Sequence, residues 1–299
     1  MESPTPSYLE QLNRDGFVLV PNLLTPGELE TLRSASQAVT ANARAGNWPH
    51  VRTLPKQFPP WTTADDGESN PARQGIWGVQ FLMHPAQTCQ AAFVRSYFAP
   101  RLLDTVKQLL QCADDDLVME LYNVLVRPDA DFALRWHRDG IAATATDDEE
   151  LHRLRAPAWH AQWNVALYDD ASLVVVPGSH RRARTATERQ ADPFDDHLPG
   201  QLTVRVRAGD AVFYNNNILH RGVYDANTDR LTLHGSMGHV KGSALRARNV
   251  LQHGVRDWVG DVDLSVLPTE EERVRAEGMR DRLVKMGLES GDVGYSLTE

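Results

Sequence analysis

The chain has 299 residues, 41% of them hydrophobic, and a formal net charge of −9 at pH 7. That length supports one large core or two domains at most, since all-β barrels and sandwiches exceed 200 residues as one domain. Nucleic-acid binders carry a basic surface, so the acidic balance argues against DNA or RNA as a partner. No apolar run approaches a membrane span, and the first residues lack a charged-then-apolar signal pattern. With Cys89 and Cys112 as its only cysteines, the chain is expected to be cytoplasmic, with no membrane partner and no structural disulfide.

Asp15-Gly16 precedes the apolar run Phe17-Val18-Leu19-Val20, which predicts a short strand after a turn. Thr25, Pro26 and Glu28 supply an N-cap, a first-turn proline and a capping box, so a helix is expected to about Ala43. Residues 46–78 are irregular and carry Trp48, Trp61 and Trp77 among five prolines. A loop of this length is either a surface wrap with its tryptophans on the core or a wall of a substrate pocket. Helical patterning returns over 99–112.

From residue 117 the character changes. LVMELYNVLV, LRWH, AQWNVALY, SLVVV, QLTVRVRAG, AVFY and RLTLHGSMGHV read as short strands separated by turn signals such as Pro177-Gly178 and Gly209-Asp210. Leu202, Val204 and Val206 alternate with Thr203, Arg205 and Arg207, the pattern of a half-buried strand. Many short strands in succession predict a sandwich or jelly roll. Between them lie two polar inserts, 141–158, where Thr146 and Glu149 fit a capping box, and 181–199. Thr269 and Glu272 cap a last helix expected to run to Met286, with Gly287 as its stop. Its apolar positions Val274, Met279, Leu283 and Met286 are expected to pack on the chain's own barrel. The expected organisation is a single domain over 1–299. It comprises a mixed N-terminal part with the loop (1–116), the β core (117–240) and a C-terminal extension with a helix (241–299).

The chemistry centres on His137-Arg138-Asp139, answered by His220 and Arg230. Residues two apart on an extended segment face the same side, so His137 and Asp139 can share a metal that His220 reaches from a distant strand. Two histidines and a carboxylate with open remaining positions is the ligand set of non-haem Fe(II) oxygenases. The context lifts His137 above chance: it follows Phe132-Ala133-Leu134 and Trp136, whereas His50, His84 and His152 read as structural or surface residues. Arg230 has two readings. It can hold the far carboxylate of a dicarboxylate chelated to the metal, or pair with Asp229 or Asp225 in a surface turn. Asn123 shares one side of its strand with Leu121 and Leu125, and either faces a cofactor or satisfies backbone groups. Arg52, Arg73 and Arg138 read as solvated, with an anionic substrate group as the alternative partner.

NRDGFVLVPNLLTPGELETLR, WHRDG, QWNVALYDDASLVVVPGSHR and GDAVFYNNNILHRGVYDANTDRLTL stand in order over residues 10–240. Here the chain resembles the phytanoyl-CoA dioxygenase family of Fe(II)/2-oxoglutarate-dependent oxygenases. The resemblance implies a mainly β fold with flanking helices, a double-stranded β-helix (jelly roll, cupin-like). It implies His137, Asp139 and His220 as ligands of Fe(II), 2-oxoglutarate and O₂ as co-substrates, and release of succinate and CO₂. It makes Arg230 the residue for the distal carboxylate of 2-oxoglutarate and places Trp163 where the family often has a cofactor-contacting tryptophan. The carboxylate of Asp139 makes hydroxylation of a C–H bond the default; desaturation, ring formation and epoxidation are further outcomes. The substrate is expected to be a small organic molecule, such as a specialised metabolite or amino-acid derivative. Departures are Gly222, where the family often has a serine two residues after the distal histidine, and Asp170-Ala171-Ser172 in place of Asn-Gly before the Pro-Gly-Ser-His strand. His180, His234 and His239 read as structural residues rather than ligands. Two rival functions remain: a cupin-like metal-dependent hydrolase or isomerase, which has no need of Arg230, and a non-catalytic ligand-binding barrel, which has no need of the full ligand set. The oligomeric state is not legible.

Overall fold

The computed structural model describes residues 6–55, 57–58 and 75–289. Trp61 and Arg73 lie outside the described residues. In chain order the elements are α1 (Tyr8–Asp15), β1 (Phe17–Val20), α2 (Pro26–Arg44), β2 (Val51–Thr53), β3 (Ile76–Val79), α3 (Gln90–Tyr97), α4 (Pro100–Leu110), β4 (Leu117–Val126) and β5 (Phe132–Ala133). They continue with α5 (Asp147–Arg155), β6 (His160–Ala166), β7 (Leu173–Val176), α6 (Ala186–Gln190), β8 (Leu202–Thr203), β9 (Ala211–Tyr214), β10 (Leu219–Tyr224), β11 (Leu231–His239), α7 (Ala244–Val250) and α8 (Glu270–Glu289). Several helices start on a capping box: Thr25 Oγ1 accepts from the Glu28 N–H, Thr146 from Glu149 and Thr269 from Glu272. Each fills backbone donors that a helix leaves open.

The strands form two antiparallel sheets. The larger has the order β1-β9-β6-β11-β4-β3-β2 and the smaller β5-β10-β7-β8. Successive side chains of a strand point to opposite faces, so register sorts them. Thr232 and His234 of β11 stand opposite Leu125 and Asn123 of β4 and opposite Ala166 and Asn164 of β6. This inner face looks toward the small sheet, and Ala166, Val212 and Tyr214 pack there with Leu173 and Val175 of β7. The alternate positions, Leu231, Leu233, Trp163 and Phe213, face the other way. They join Tyr97 and Phe93 of α3, Val106 of α4, and Met279 and Leu283 of α8 in the main core. The result is a double-stranded β-helix with helices covering the back of its larger sheet.

Some sequence expectations shift. The helix α3 is additional to the patterning over 99–112. LRWH forms no strand, and of QLTVRVRAG only Leu202–Thr203 is strand, with Leu202 exposed and Val204 and Val206 buried. Gly287 does not stop α8. It is buried inside the helix, where a Cβ would lie 2.2 Å from Leu251 Cδ1, so its bareness admits a neighbour instead of ending a turn. The buried stripe of α8 is Ala276, Met279, Leu283 and Gly287, while Val274 is exposed. Cys89 and Cys112 are both free. No helix of the described residues is long and apolar enough to cross a membrane.

Candidate active site

His137, Asp139 and His220 converge at the edge of the small sheet, with their ligating atoms all within 4.8 Å of one another. Asp139 Oδ1 is 3.4 Å from His137 Nε2 and 3.5 Å from His220 Nε2. Each ring is oriented by its own backbone: His137 Nδ1 lies 2.7 Å from Arg135 O, and His220 Nδ1 lies 2.8 Å from Ile218 O. A carbonyl only accepts, so Nδ1 carries the proton in both rings and Nε2 presents its lone pair to the common centre. Gln162 Nε2 donates to Asp139 Oδ2 at 3.0 Å and fixes the second carboxylate oxygen. Burial, reinforced by His137, pushes the His220 imidazole down to about 4, so it is neutral near pH 7. Burial pushes Asp139 up, but His220, His137 and the Gln162 amide together outweigh it and hold the carboxyl well below the usual range. Two imidazoles directing Nε2 at one centre, with one carboxylate, suit a divalent iron ion.

The His-x-Asp segment is not a continuous strand. His137 and His220 form a single antiparallel bridge, each donating its N–H to the other's carbonyl at 3.0 Å. Asp139 then sits in a tight turn closed between Arg138 and Ile141. Between them Arg138 points its side chain the opposite way, where it is wholly buried. Its guanidinium donates to Ser179 O at 3.0 Å, Arg182 O at 3.1 Å and Asn217 O, and its Nε is 3.4 Å from Glu150 Oε1. Glu150 of α5 also pairs with Arg184 and, at 2.8 Å, with Arg189. Arg138 is therefore not a solvated residue, and the 141–158 insert packs its Glu150 beneath His137 and Asp139 through Arg138.

Arg230 opens β11 at one end of the inner face. It is 7% exposed, so the surface-turn reading fails; Asp229 pairs with Arg127, and Asp225 accepts from Thr228 and the Asn227 amide. Its Nε is 3.6 Å from Asp170 Oδ2, and its guanidinium carbon lies 4.5 Å from the centroid of Tyr224. Asp170 is held in turn by Ser172 and by Thr232 Oγ1 at 3.0 Å. Among the described residues Arg230 Nε and Nη1 have no hydrogen-bond partner, although both are buried. A buried cation with open donors fits a dianionic co-substrate, whose far carboxylate satisfies a guanidinium fork. Asn123 lies on the same inner face, but its oxygen is taken by the Phe81 N–H at 3.1 Å, the backbone-satisfying role.

Trp163 does not reach the site. Its neighbours Gln162 and Asn164 face inward, so the strand's alternation turns Trp163 to the back of the sheet. There it is 0% exposed, with Tyr97 at 5.9 Å and Phe213 at 5.8 Å between ring centroids. Inward positions absent from the sequence reading are Gln162 and Tyr224; His234, read there as structural, also faces inward with Nδ1 2.8 Å from Asn164 Oδ1. The signal was present for Tyr224 and His234, each four residues from an inward position, His220 and Arg230; Gln162 is one residue from Trp163, so placing Trp163 at the cofactor hid it. His180 packs against Gly16, with Nε2 3.1 Å from Asn13 O. The long loop divides its tryptophans: Trp48 donates to Gln80 O inside the core, while Trp77 packs on Phe132 and Tyr224 beside Arg230. Phe58 brings the same loop to 5.1 Å from the His137 ring.

At the opposite end of the inner face stand His160, Ser236 and Glu120, with Arg246 of α7 holding Glu120 through Nε at 2.6 Å. Burial pushes His160 down to about 4, and its Nε2 has no partner among the described residues. The site thus has a cationic end at Arg230, the cluster of His137, Asp139 and His220, and a polar end to which the C-terminal extension contributes.

The sequence model of the phytanoyl-CoA dioxygenase (PhyH) family matches residues 12–228. No curated protein sequence matches the chain. Among solved structures, AviO1 from Streptomyces viridochromogenes Tue57 is similar at TM-score 0.55 and 18% identity, over 77% of this chain and 93% of that one. EctD from S. alaskensis, solved with 2-oxoglutarate and 5-hydroxyectoine, is similar at TM-score 0.55 and 19% identity, over 78% and 75% of the two chains. The epimerase SnoN from nogalamycin biosynthesis, in complex with Fe3+, alpha ketoglutarate and nogalamycin RO, follows at TM-score 0.51 and 20% identity, over 77% and 82%.

Proposed function

The chain belongs to the phytanoyl-CoA dioxygenase family of Fe(II)/2-oxoglutarate-dependent oxygenases, and from that premise we propose that His137, Asp139 and His220 are its iron ligands and Arg230 its anchor for 2-oxoglutarate. The reaction proposed is hydroxylation of a C–H bond in a small organic molecule in the cytoplasm. The observation that carries the reading is the distribution of donors. Two imidazole rings and one carboxylate meet at one point, and a buried guanidinium with open N–H groups stands on the same inner face.

Bound there, Fe(II) with 2-oxoglutarate and O₂ supplies oxidative decarboxylation to succinate and CO₂ and the power to take hydrogen from an unactivated C–H bond. The protein's own residues perform four tasks. The Arg135 and Ile218 carbonyls fix both imidazole tautomers, so Nε2 of each ring is preset for the metal. Gln162 keeps one Asp139 oxygen occupied and the other directed at the metal centre. Arg230 aligns the co-substrate by charge and a bidentate fork. Val212, Tyr214, Val175 and Leu173 wall the interior with apolar or ring surface and keep water out of it. The polar end at His160, Ser236 and Glu120 suits a substrate with hydrogen-bonding groups rather than a bare hydrocarbon. SnoN is an epimerase, so the reaction outcome is read from products and not from the fold.

The test is anaerobic titration of the Fe(II)-loaded protein with 2-oxoglutarate, following the visible charge-transfer band of the chelate. A band is expected in the wild type, weakened by Arg230→Ala and absent in His137→Ala. Iron binding without a band sinks the 2-oxoglutarate reading.

A further inference from the structure

The strand that carries His220 continues inward through Gly222 and Tyr224, since residues 220, 222 and 224 share one face. Gly222 has no side chain where related chains often place a serine hydroxyl. The space it leaves is filled. A Cβ on Gly222 would lie 2.2 Å from the Tyr224 hydroxyl and 2.4 Å from Tyr224 Cζ. The tyrosine therefore folds back along its own strand, toward the metal ligands, and covers the glycine. Its ring packs beneath the Arg230 guanidinium, whose carbon lies 4.5 Å from the ring centroid. Trp77 and Phe132 brace the ring at 5.7 and 4.6 Å between centroids, so the hydroxyl has a defined position.

We propose that the Tyr224 hydroxyl replaces the absent serine and, with Arg230, hydrogen-bonds the distal carboxylate of 2-oxoglutarate. The proposal rests on the co-substrate reading above. The chemistry follows from the donor inventory. Arg230 has N–H groups only, so in any hydrogen bond between the two it donates and the tyrosine oxygen accepts, which leaves the O–H free to donate onward. Asp170, the carboxylate paired with Arg230 among the described residues, already accepts from Ser172 and Thr232, so a second anion would meet the donors that Arg230 still has open. Burial pushes the phenol up, so it stays a donor across the working pH range. Gly222 and Tyr224 are thus a matched pair. A side chain at 222 and a tyrosine folded over it cannot coexist without displacement of one of them.

The test compares two 2-oxo acids on the Fe(II)-loaded protein without oxygen: 2-oxoglutarate, and 2-oxobutyrate, which chelates the same way but lacks a distal carboxylate. Iron stoichiometry, measured separately, reports an intact metal site. Tyr224→Phe keeps the ring under Arg230 and removes one oxygen; it should weaken 2-oxoglutarate about 10-fold, the loss of one hydrogen bond to a charged group. Its affinity for 2-oxobutyrate should be unchanged. Gly222→Ala keeps the tyrosine but displaces its hydroxyl, and should give the same selective loss. Either variant loading iron normally and binding 2-oxoglutarate as tightly as wild type overturns the proposal. Wild-type protein that loads iron and binds neither acid overturns the co-substrate reading and the proposal with it.

Discussion

The two faces of the β6–β11 pair differ by one residue step and by everything else. On the inner face Gln162, Asn164, Thr232 and His234 are polar and hydrogen-bonded, Gln162 to Asp139, Thr232 to Asp170, and His234 and Asn164 to each other. On the back Trp163, Val165, Leu231 and Leu233 are sealed against helices. The same strands thus carry function and stability on alternate residues. The lesson is that a change of phase by one residue moves a side chain between two kinds of work.

Trp163→Ala tests the division most severely. It removes a fully buried indole from contact with Tyr97 and Phe213, and should cost about 3–5 kcal/mol of stability, the range for truncating a large buried aromatic. The loss is read as a fall in the denaturant midpoint. Protein still folded at low temperature should bind 2-oxoglutarate as the wild type does. A co-substrate affinity lost out of proportion to stability would falsify the assignment of Trp163 to the back face.

Glu150 sharpens the comparison by belonging to neither face. Its 0% exposed carboxylate serves Arg138, Arg184 and Arg189 below the ligands. Glu150→Ala leaves buried arginines uncompensated and should cost about 3–5 kcal/mol. Here metal affinity should fall together with stability, because Arg138 stands between two of the ligands in sequence and fixes their turn. Calorimetric iron titration beside chemical denaturation separates this joint loss from the single loss of Trp163→Ala. If Glu150→Ala keeps wild-type iron affinity in its folded fraction, Arg138 does not position the ligands.

The sequence made the inner strands legible wherever two signals coincided. His137, Asp139, His220 and Arg230 each sit beside an apolar run and within a recognisable motif, and all four reached the same interior. β4 was bounded to the residue because its ten positions are buried almost throughout. The family resemblance puts Trp163 at the cofactor, although Gln162 and Asn164 flanking it show which phase of the strand is polar. Arg138 was read as solvated because a charge in a loop ordinarily is; only the distant Glu150 makes its burial possible, and no local pattern announces that pair. Gly287 followed the usual preference of glycine for helix ends, and its true cause, the approach of Leu251, is a tertiary contact. The Tyr224 fold-back was hidden for the same reason, since the glycine's emptiness is visible in sequence but its occupant is not.

The polar end of the inner face offers the smallest and most conditional effect, through pH. Glu120 is nearly buried, and burial raises its pKa, but the Arg246 guanidinium outweighs this and leaves it lowered from 4.5. A carboxylate with a depressed folded pKa contributes stability that is present above the unfolded value and lost as pH falls through the folded one. In Arg246→Met the outweighing partner is gone and the direction inverts: burial then raises Glu120, and the neutral form is the stable one. The variant should therefore lose stability as pH rises above about 4.5, where the wild type keeps its share. Thermal midpoints measured from pH 4 to pH 7 should converge at the acid end and diverge toward neutrality. Parallel curves would mean that the pair is a surface contact of little energetic weight, and that the C-terminal extension does not close the polar end of the site.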